Sequence, residues 1–184
     1  MAIAEVVLYD VPPADSRSET GTLMLRPLND DDIADIVVTS QDPLTQAYTT
    51  VPFPYTEQDA RCFLEDHSAV RWALCLPDQG GRYLGTIELR EVNQAASFYD
   101  VGYVSAPSAR GKGLMTRALK RVIAHAIDSG AHRIEVRVRT TNQASRKVAE
   151  AAGCQLEGIA RGWEFHRGQY HDLAIYSFLS GDVR

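Results

Sequence analysis

The chain has 184 residues, 45% of them hydrophobic, which is enough to bury the core of one domain. Its formal net charge of -5 and pI near 5.5 remove any global pull toward nucleic acid or an anionic membrane. Cys62, Cys75 and Cys154 are odd in number and widely spaced, which argues against a disulfide framework or a thiolate zinc site and fits a reducing cytoplasm. No stretch reaches the roughly 18 apolar residues of a bilayer-spanning helix, and the amino terminus lacks a basic region ahead of its apolar run.

Residues 1–19 read as an extension, closing on a polar stretch with Pro12 and Pro13, that leads into a single domain over 20–184; an edge strand is its one structural option. Thr22 to Leu28 is a strand, and Asn29 followed by Asp30, Asp31 and Asp32 favours a helix start. Thr56-Glu57-Gln58-Asp59 resembles a capping box, after which Ala60, Phe63 and Leu64 recur at helical spacing. Two helices are therefore expected after the first strand. Arg71 to Leu76, Tyr83 to Val92 and Ser97 to Ser105 are strands joined by short turns, an antiparallel meander.

Arg110-Gly111-Lys112-Gly113-Leu114-Met115-Thr116 comes next and opens a helix whose Leu114, Ala118, Val122 and Ala126 share a face that ends at Ser129-Gly130. A helix start carries unpaired N–H groups and the positive end of the dipole, and Gly111 and Gly113 allow an anion close approach to the chain. Ile134, Val136 and Val138 alternate with charged residues in a strand from His132 to Arg139, and Thr141 or Asn142 caps a further helix. Cys154 to Phe165 and Tyr170 to Leu179 form a closing hairpin. This order specifies an α/β (α+β) fold with a mixed, mostly antiparallel sheet of about seven strands and helices on both faces. Its strand-helix-strand crossover between Val104 and Arg139 places a parallel pair beside the glycine loop. Gly102, inside an apolar strand, suggests a bulge that splays this pair.

The chain resembles the GNAT superfamily of acyl-CoA-dependent N-acetyltransferases. The family's loop pattern is Arg or Gln, two residues, Gly, one residue, then Gly or Ala; Arg110 and Gly113 fit it, and Met115 departs from it. Pro52-Phe53-Pro54-Tyr55-Thr56, Asp100-Val101-Gly102-Tyr103, Asn142-Gln143-Ala144-Ser145 and Gly168-Gln169-Tyr170-His171-Asp172 make it similar to the Rim-type enzymes, which acetylate amino termini of ribosomal proteins. The similarity runs from about Thr22 to Leu179. It implies acetyl-CoA as the acyl donor, with no metal. The loop Arg110, Gly111, Lys112, Gly113, Leu114, Met115 and Thr116 would hold the pyrophosphate through its main chain. Val104 would pair with the pantetheine arm, and Asn142 would hydrogen-bond it unless it only caps its helix. Binding of nucleic acid or membrane is not implied; a homodimer is compatible.

Acetyl transfer to an amine needs an unprotonated nitrogen, a stabilised oxyanion and a proton for the departing thiolate. The resemblance assigns the base to Glu164 and the acid to Ser145. Glu88 and Asp100 compete as bases, and Tyr170 and Tyr176 are reserve acids. Cys154 lacks a partnered His, and His166 and His171 lack a third metal ligand. Acceptor choice is expected from Thr39 to Tyr55 together with the final hairpin. The acceptor itself stays open between a protein or peptide amino terminus and a small amine, and a noncatalytic acyl-CoA sensor is the rival from another class.

Overall fold

The computed structural model describes residues 3, 4, 6–10 and 21–182. Residues 11–20, which include the proline-bearing part of the amino-terminal extension, lie outside the described residues. In chain order the strands are β1 (Leu8–Asp10), β2 (Leu23–Pro27), β3 (Ala69–Cys75), β4 (Gly85–Asn93), β5 (Phe98–Ser105), β6 (Arg133–Arg139), β7 (Gln155–His166) and β8 (Gln169–Leu179). The helices are α1 (Ile33–Gln41), α2 (Pro43–Tyr48), α3 (Glu57–Glu65), α4 (Leu114–Asp128) and α5 (Gln143–Ala151). One sheet of eight strands runs β1-β2-β3-β4-β5-β6-β8-β7. Only β5 and β6 pair in parallel among the described residues. That follows from their being joined by α4, since a parallel neighbour requires a crossover connection.

Sequence periodicity explains both layers. On α4, Leu114, Met115, Ala118, Leu119, Val122, Ile123 and Ala126 are buried and form one stripe. They pack with Trp72, Leu74, Ile87, Leu89, Val101, Ile134 and Val136, the alternate residues of the central strands. On the other face a smaller core joins Ile33 and Ile36 of α1 and Ala60 of α3 to Ala73 and Cys75 of β3. That second layer covers the β2–β3 side only. Over β4, β5 and β6 the same face instead carries an ionic ladder. Arg71 and Arg90 clasp Glu88, while Arg90 and Arg137 clasp Asp100.

Two expectations are corrected and one is completed. The edge strand open to the extension forms: Leu8–Asp10 pairs antiparallel with β2 and brings the sheet of about seven strands to eight. Val6 accepts from Trp72 Nε1 at 2.8 Å, and Asp10 accepts from Arg117 at 2.5 Å, so polar contacts hold this strand as well as the buried Leu8. Three helices, not two, follow β2. The unexpected one, α2, is a six-residue segment too short to show periodicity, and it starts because the Asp42 carboxylate accepts from the Leu44 and Thr45 N–H groups. Finally, Gly102 is not a bulge: it pairs in register with Glu88, and the irregularity on β4 falls between Glu91 and Asn93. A Cβ at Gly102 would stand 3.0 Å from Glu88 Oε1 and 3.2 Å from Arg90 Nη2, so the missing side chain makes room for the ionic ladder.

Candidate active site

After Ala109 the chain leaves a 3-10 turn, crosses Gly111 at φ 74° and Gly113 at φ 73°, and enters α4. Both angles lie in the left-handed region that glycine adopts without strain. A Cβ at either glycine would meet nothing within 4 Å, so the open side of the loop is bare main chain. The first N–H to be used after the loop is that of Arg117, which donates to the Gly113 carbonyl at 3.1 Å. The six N–H groups from Gly111 to Thr116 donate to no acceptor among the described residues. They sit at the positive end of a 15-residue helix, an arrangement suited to a polyanion.

Two side chains of the loop are engaged elsewhere. Arg110 Nη2 donates to Asp42 Oδ2 at 2.6 Å and to Thr45 Oγ1 at 3.1 Å, fastening α2 to the loop. This pairing holds the Asp42 carboxyl below its ordinary range, with burial opposing it. Met115 is 6% exposed and belongs to the main core. Its departure from the family pattern therefore changes what packs beneath the loop and leaves the outward N–H in place.

Beside the loop the sheet opens. β5 and β6 pair only at Phe98–Arg133, Tyr99–Ile134 and Asp100–Glu135. Beyond that point β5 keeps β4 as its partner through Ser105, while β6 keeps β8 through Arg139. Val104, opposite Thr86 on β4, thus presents its other edge to the gap. Tyr103 reaches from β5 to α5: its hydroxyl donates to the Ser145 carbonyl at 3.1 Å and accepts from Ser145 Oγ at 2.9 Å. Burial pushes the Tyr103 phenol above its ordinary range, so it stays protonated. Asn142 caps α5 through its Oδ1, which accepts from the Ser145 N–H at 3.1 Å, and its amide NH2 makes no hydrogen bond among the described residues.

The acids differ in how they are held. Glu164 on β7 places Oε2 2.5 Å from Arg139 Nε, and this pairing keeps the carboxyl below its ordinary range despite burial. Its Oε1 has no partner among the described residues. Glu88 and Asp100 are each shared between two arginines, leaving them structural. Tyr176 is fully buried, and its hydroxyl donates to Glu150 and accepts from Arg146, so its proton is already committed. Tyr170 is 73% exposed against Phe165. Burial raises the Cys154 thiol to about 12, which removes it as a nucleophile at neutral pH. Among the described residues no group of three or more His, Cys, Asp or Glu side chains is arranged to hold a metal ion, and no helix is long and apolar enough to cross a membrane.

The segment from Thr39 to Tyr55 and the final hairpin meet. Ala47 accepts from Arg139 Nη1, Gln46 accepts from Arg167, and Arg167 lies 4.8 Å over the Phe53 ring. Between them is a cavity of about 270 Å³, bounded by Gln46 and Ala47, by Arg139, and by His166, Arg167, Gln169 and His171 of the hairpin. A larger depression of about 490 Å³ lies at the start of α1, where Arg26–Asp32 and Arg82–Asp35 are already paired and nothing adjoins the strand opening. The sequence marks Tyr103 only within the Asp100-Val101-Gly102-Tyr103 motif, Gln46 only within the Thr39 to Tyr55 segment, His166 only as a histidine without metal partners and Arg139 only as a strand end. No spacing signal gives any of the four its place in this cluster; tertiary packing alone brings them to the opening.

A family model for the acetyltransferase (GNAT) domain matches residues 22–155, and the chain belongs to that family. The Bacillus subtilis (strain 168) protein YdaF is 33% identical over 100 residues, 54% of this chain and 55% of its own length. The ribosomal-protein-serine acetyltransferase of Escherichia coli (strain K12) is 30% identical over 95 residues, 51% of this chain and 53% of its own length. The chain thus spans about half the length of these two relatives in the matched segments. The fold is shared with Mycobacterium smegmatis RimJ in complex with CoA-disulfide, at TM-score 0.80, 20% identity, and coverage of 97% of this chain and 90% of that one. It is also shared with the Vibrio cholerae spermidine N-acetyltransferase in complex with CoA and spermine, at TM-score 0.77, 20% identity, and coverage of 87% and 96%.

Proposed function

We propose that the chain is an acetyl-CoA-dependent N-acetyltransferase that acts on a primary amine, foremost the amino terminus of a protein or peptide, by direct attack in a ternary complex. The observation that carries this reading is the run of six unpaired N–H groups, Gly111 to Thr116, at the mouth of the β5–β6 opening. Those groups fit a pyrophosphate, and the exposed edge of β5 at Val104 fits an extended amide-bearing arm added as a strand. Asn142 offers that arm its amide NH2. When bound, acetyl-CoA supplies an activated thioester carbonyl.

The remaining chemistry falls to side chains. Glu164 Oε1 accepts the amine proton, directly or through a water. Its lowered basicity suits a late transfer, because the nitrogen becomes acidic once the C–N bond forms. Arg139 orients this carboxylate. Ser145 Oγ delivers a proton to the sulfur as the C–S bond breaks, while the Tyr103 hydroxyl turns from the Ser145 carbonyl to support the Ser145 oxygen; the proton that Glu164 took from the nitrogen is returned through water to Ser145, leaving amide, free thiol and the starting side chains. A peptide amino terminus is favoured by the Rim-type motifs and the ribosomal-protein relative.

The test is calorimetric titration with acetyl-CoA and CoA, followed by thiol release against an amino-terminal peptide library with small amines alongside. Binding together with amine-dependent thiol release is expected. Absence of heat with either molecule overturns the proposal, and tight binding without thiol release from any amine favours a sensor.

A further inference from the structure

The guanidinium of Arg139 is unequally satisfied. The residue is 6% exposed; Nε donates to Glu164 and Nη1 to the Ala47 carbonyl, whereas the buried Nη2 has no acceptor among the described residues. His166 Nε2 is likewise buried and unpartnered, and both residues line the cavity of about 270 Å³ between α2 and the hairpin. Buried polar atoms in folded proteins are nearly always paired, charged donors above all, so two orphans on residues that line one cavity mark a place shaped for an outside partner. The charge around it has one sign. Arg139 from β6 and Arg167 from the β7–β8 turn face the cavity with His166 and His171; Glu164, the one acid beside them, has Oε2 committed to Arg139. In a chain of net charge -5 this is a local reversal.

We propose that this cavity binds a carboxylate or phosphate group carried by the amine acceptor, with Arg139 Nη2 as the central donor and Arg167 as the second charge. The substrate is then an anion-bearing amine and not a polyamine. The ligand is termed an acceptor on the acetyl-transfer reading above; the anion site stands without it. Position supports the link between the two. Arg139 ends β6, the wall of the opening, and its carbonyl accepts from the Asn142 N–H at 2.8 Å. An anion on Nη2 therefore lies beside the opening, and Glu164, paired to the same guanidinium through Nε, supplies a carboxylate for the amine of the same molecule. A zwitterion meets both halves of the Arg139–Glu164 pair. A polycation would face two arginines.

His166 is a built-in reporter. Burial, then Arg139 and Arg167, lower its pKa, with Glu164 and a hydrogen bond of the ring to the Gln46 main chain opposing them, so an anion entering the cavity raises it. The experiment follows His166 by NMR in the full chain during titration with inorganic phosphate, acetate or ethylamine, in wild type, Arg139→Lys and Arg167→Gln. Thiol release is then compared for alanine against alaninamide, for peptides with and without an early Asp or Glu, and for spermidine. Expected are a raised His166 pKa with either anion and none with ethylamine, at least tenfold weaker anion binding in Arg139→Lys, and severalfold weaker binding in Arg167→Gln. The exposed Arg167 keeps the test meaningful if Arg139→Lys folds poorly. Anion-bearing amines should exceed their neutral counterparts at least tenfold in kcat/KM, mainly through KM. No His166 response to either anion, or anion binding indifferent to both substitutions, overturns the site. Turnover that is equal for neutral and anionic amines, or best for spermidine, overturns its role in substrate choice while transfer stands. Arginine-dependent anion binding without turnover of any amine supports the site and overturns the acetyl-transfer reading instead.

Discussion

Replacing Met115 with Ala separates the packing role of the loop's last position from its contact with ligand. Met115 is 6% exposed and sits in the main core, so truncation leaves a cavity at the first turn of α4. Met→Ala changes in cores cost about 2–5 kcal/mol. A site near a helix end relaxes more than one at mid-helix, and Ala is the better helix former by a few tenths of a kcal/mol, so about 2–3 kcal/mol is expected. For a chain of this size that corresponds to a melting temperature lower by about 4–12 °C. The N–H groups at positions 115 and 116 are untouched, and the substitution restores the family pattern. CoA affinity, measured by calorimetry well below the transition, should therefore stay within about threefold, or 0.7 kcal/mol. Urea and thermal unfolding without ligand give the stability change. A tenfold change in CoA affinity with unfolding free energy unaltered would refute the reasoning, because the side chain would then face the ligand. Gly113→Pro is the converse: it removes an N–H and cannot adopt φ 73°, and CoA affinity should fall more than tenfold.

Ser145→Ala should lower kcat by about 10²–10⁴-fold while leaving CoA affinity within a few-fold, the signature of a proton donor; equal kcat in the variant would remove Ser145 from the chemistry. Arg139 holds Glu164 below its ordinary value near 4.5, so this carboxylate is already ionised at neutral pH, and the kcat/KM profile should show no acid limb near pH 6 that Glu164→Gln abolishes. Glu157 is drawn down to about 2 by Arg133 and then by Ser177. A depressed carboxylate stabilises the fold above its unfolded value, so this contribution is lost as pH falls from about 4.5 to about 2, and Glu157→Gln should flatten unfolding free energy over that window. Its side chain is 42% exposed, so the effect should shrink in about 1 M salt, where the screening length is about 3 Å. Asp42→Ala removes both the α2 cap and the Arg110 tie, and should lower stability by about 1–3 kcal/mol and raise KM for the amine, read by urea unfolding and steady-state kinetics.

Elements whose cause is local could be read from the residues alone. The α4 stripe, the capping box at Thr56, the Asn142 cap and the glycines that turn the chain before Leu114 are each set by residues within a few positions of one another. The main-chain cradle was legible for the same reason: its donors are consecutive. Gly102 shows where this stops. Its lack of a side chain reads as a weakness of its own strand, but its cause is Glu88 and Arg90 on the neighbouring strand. Likewise α2, held by Asp42 to Arg110 across 68 positions of sequence, and the joining of Ala47 to Arg139 across 92, leave no periodic trace. The basic cavity was invisible for the same reason. Its two orphan nitrogens belong to a strand end and a hairpin whose side chains acquire neighbours only when the sheet closes, and a buried donor without an acceptor is a property of surroundings, not of residue type.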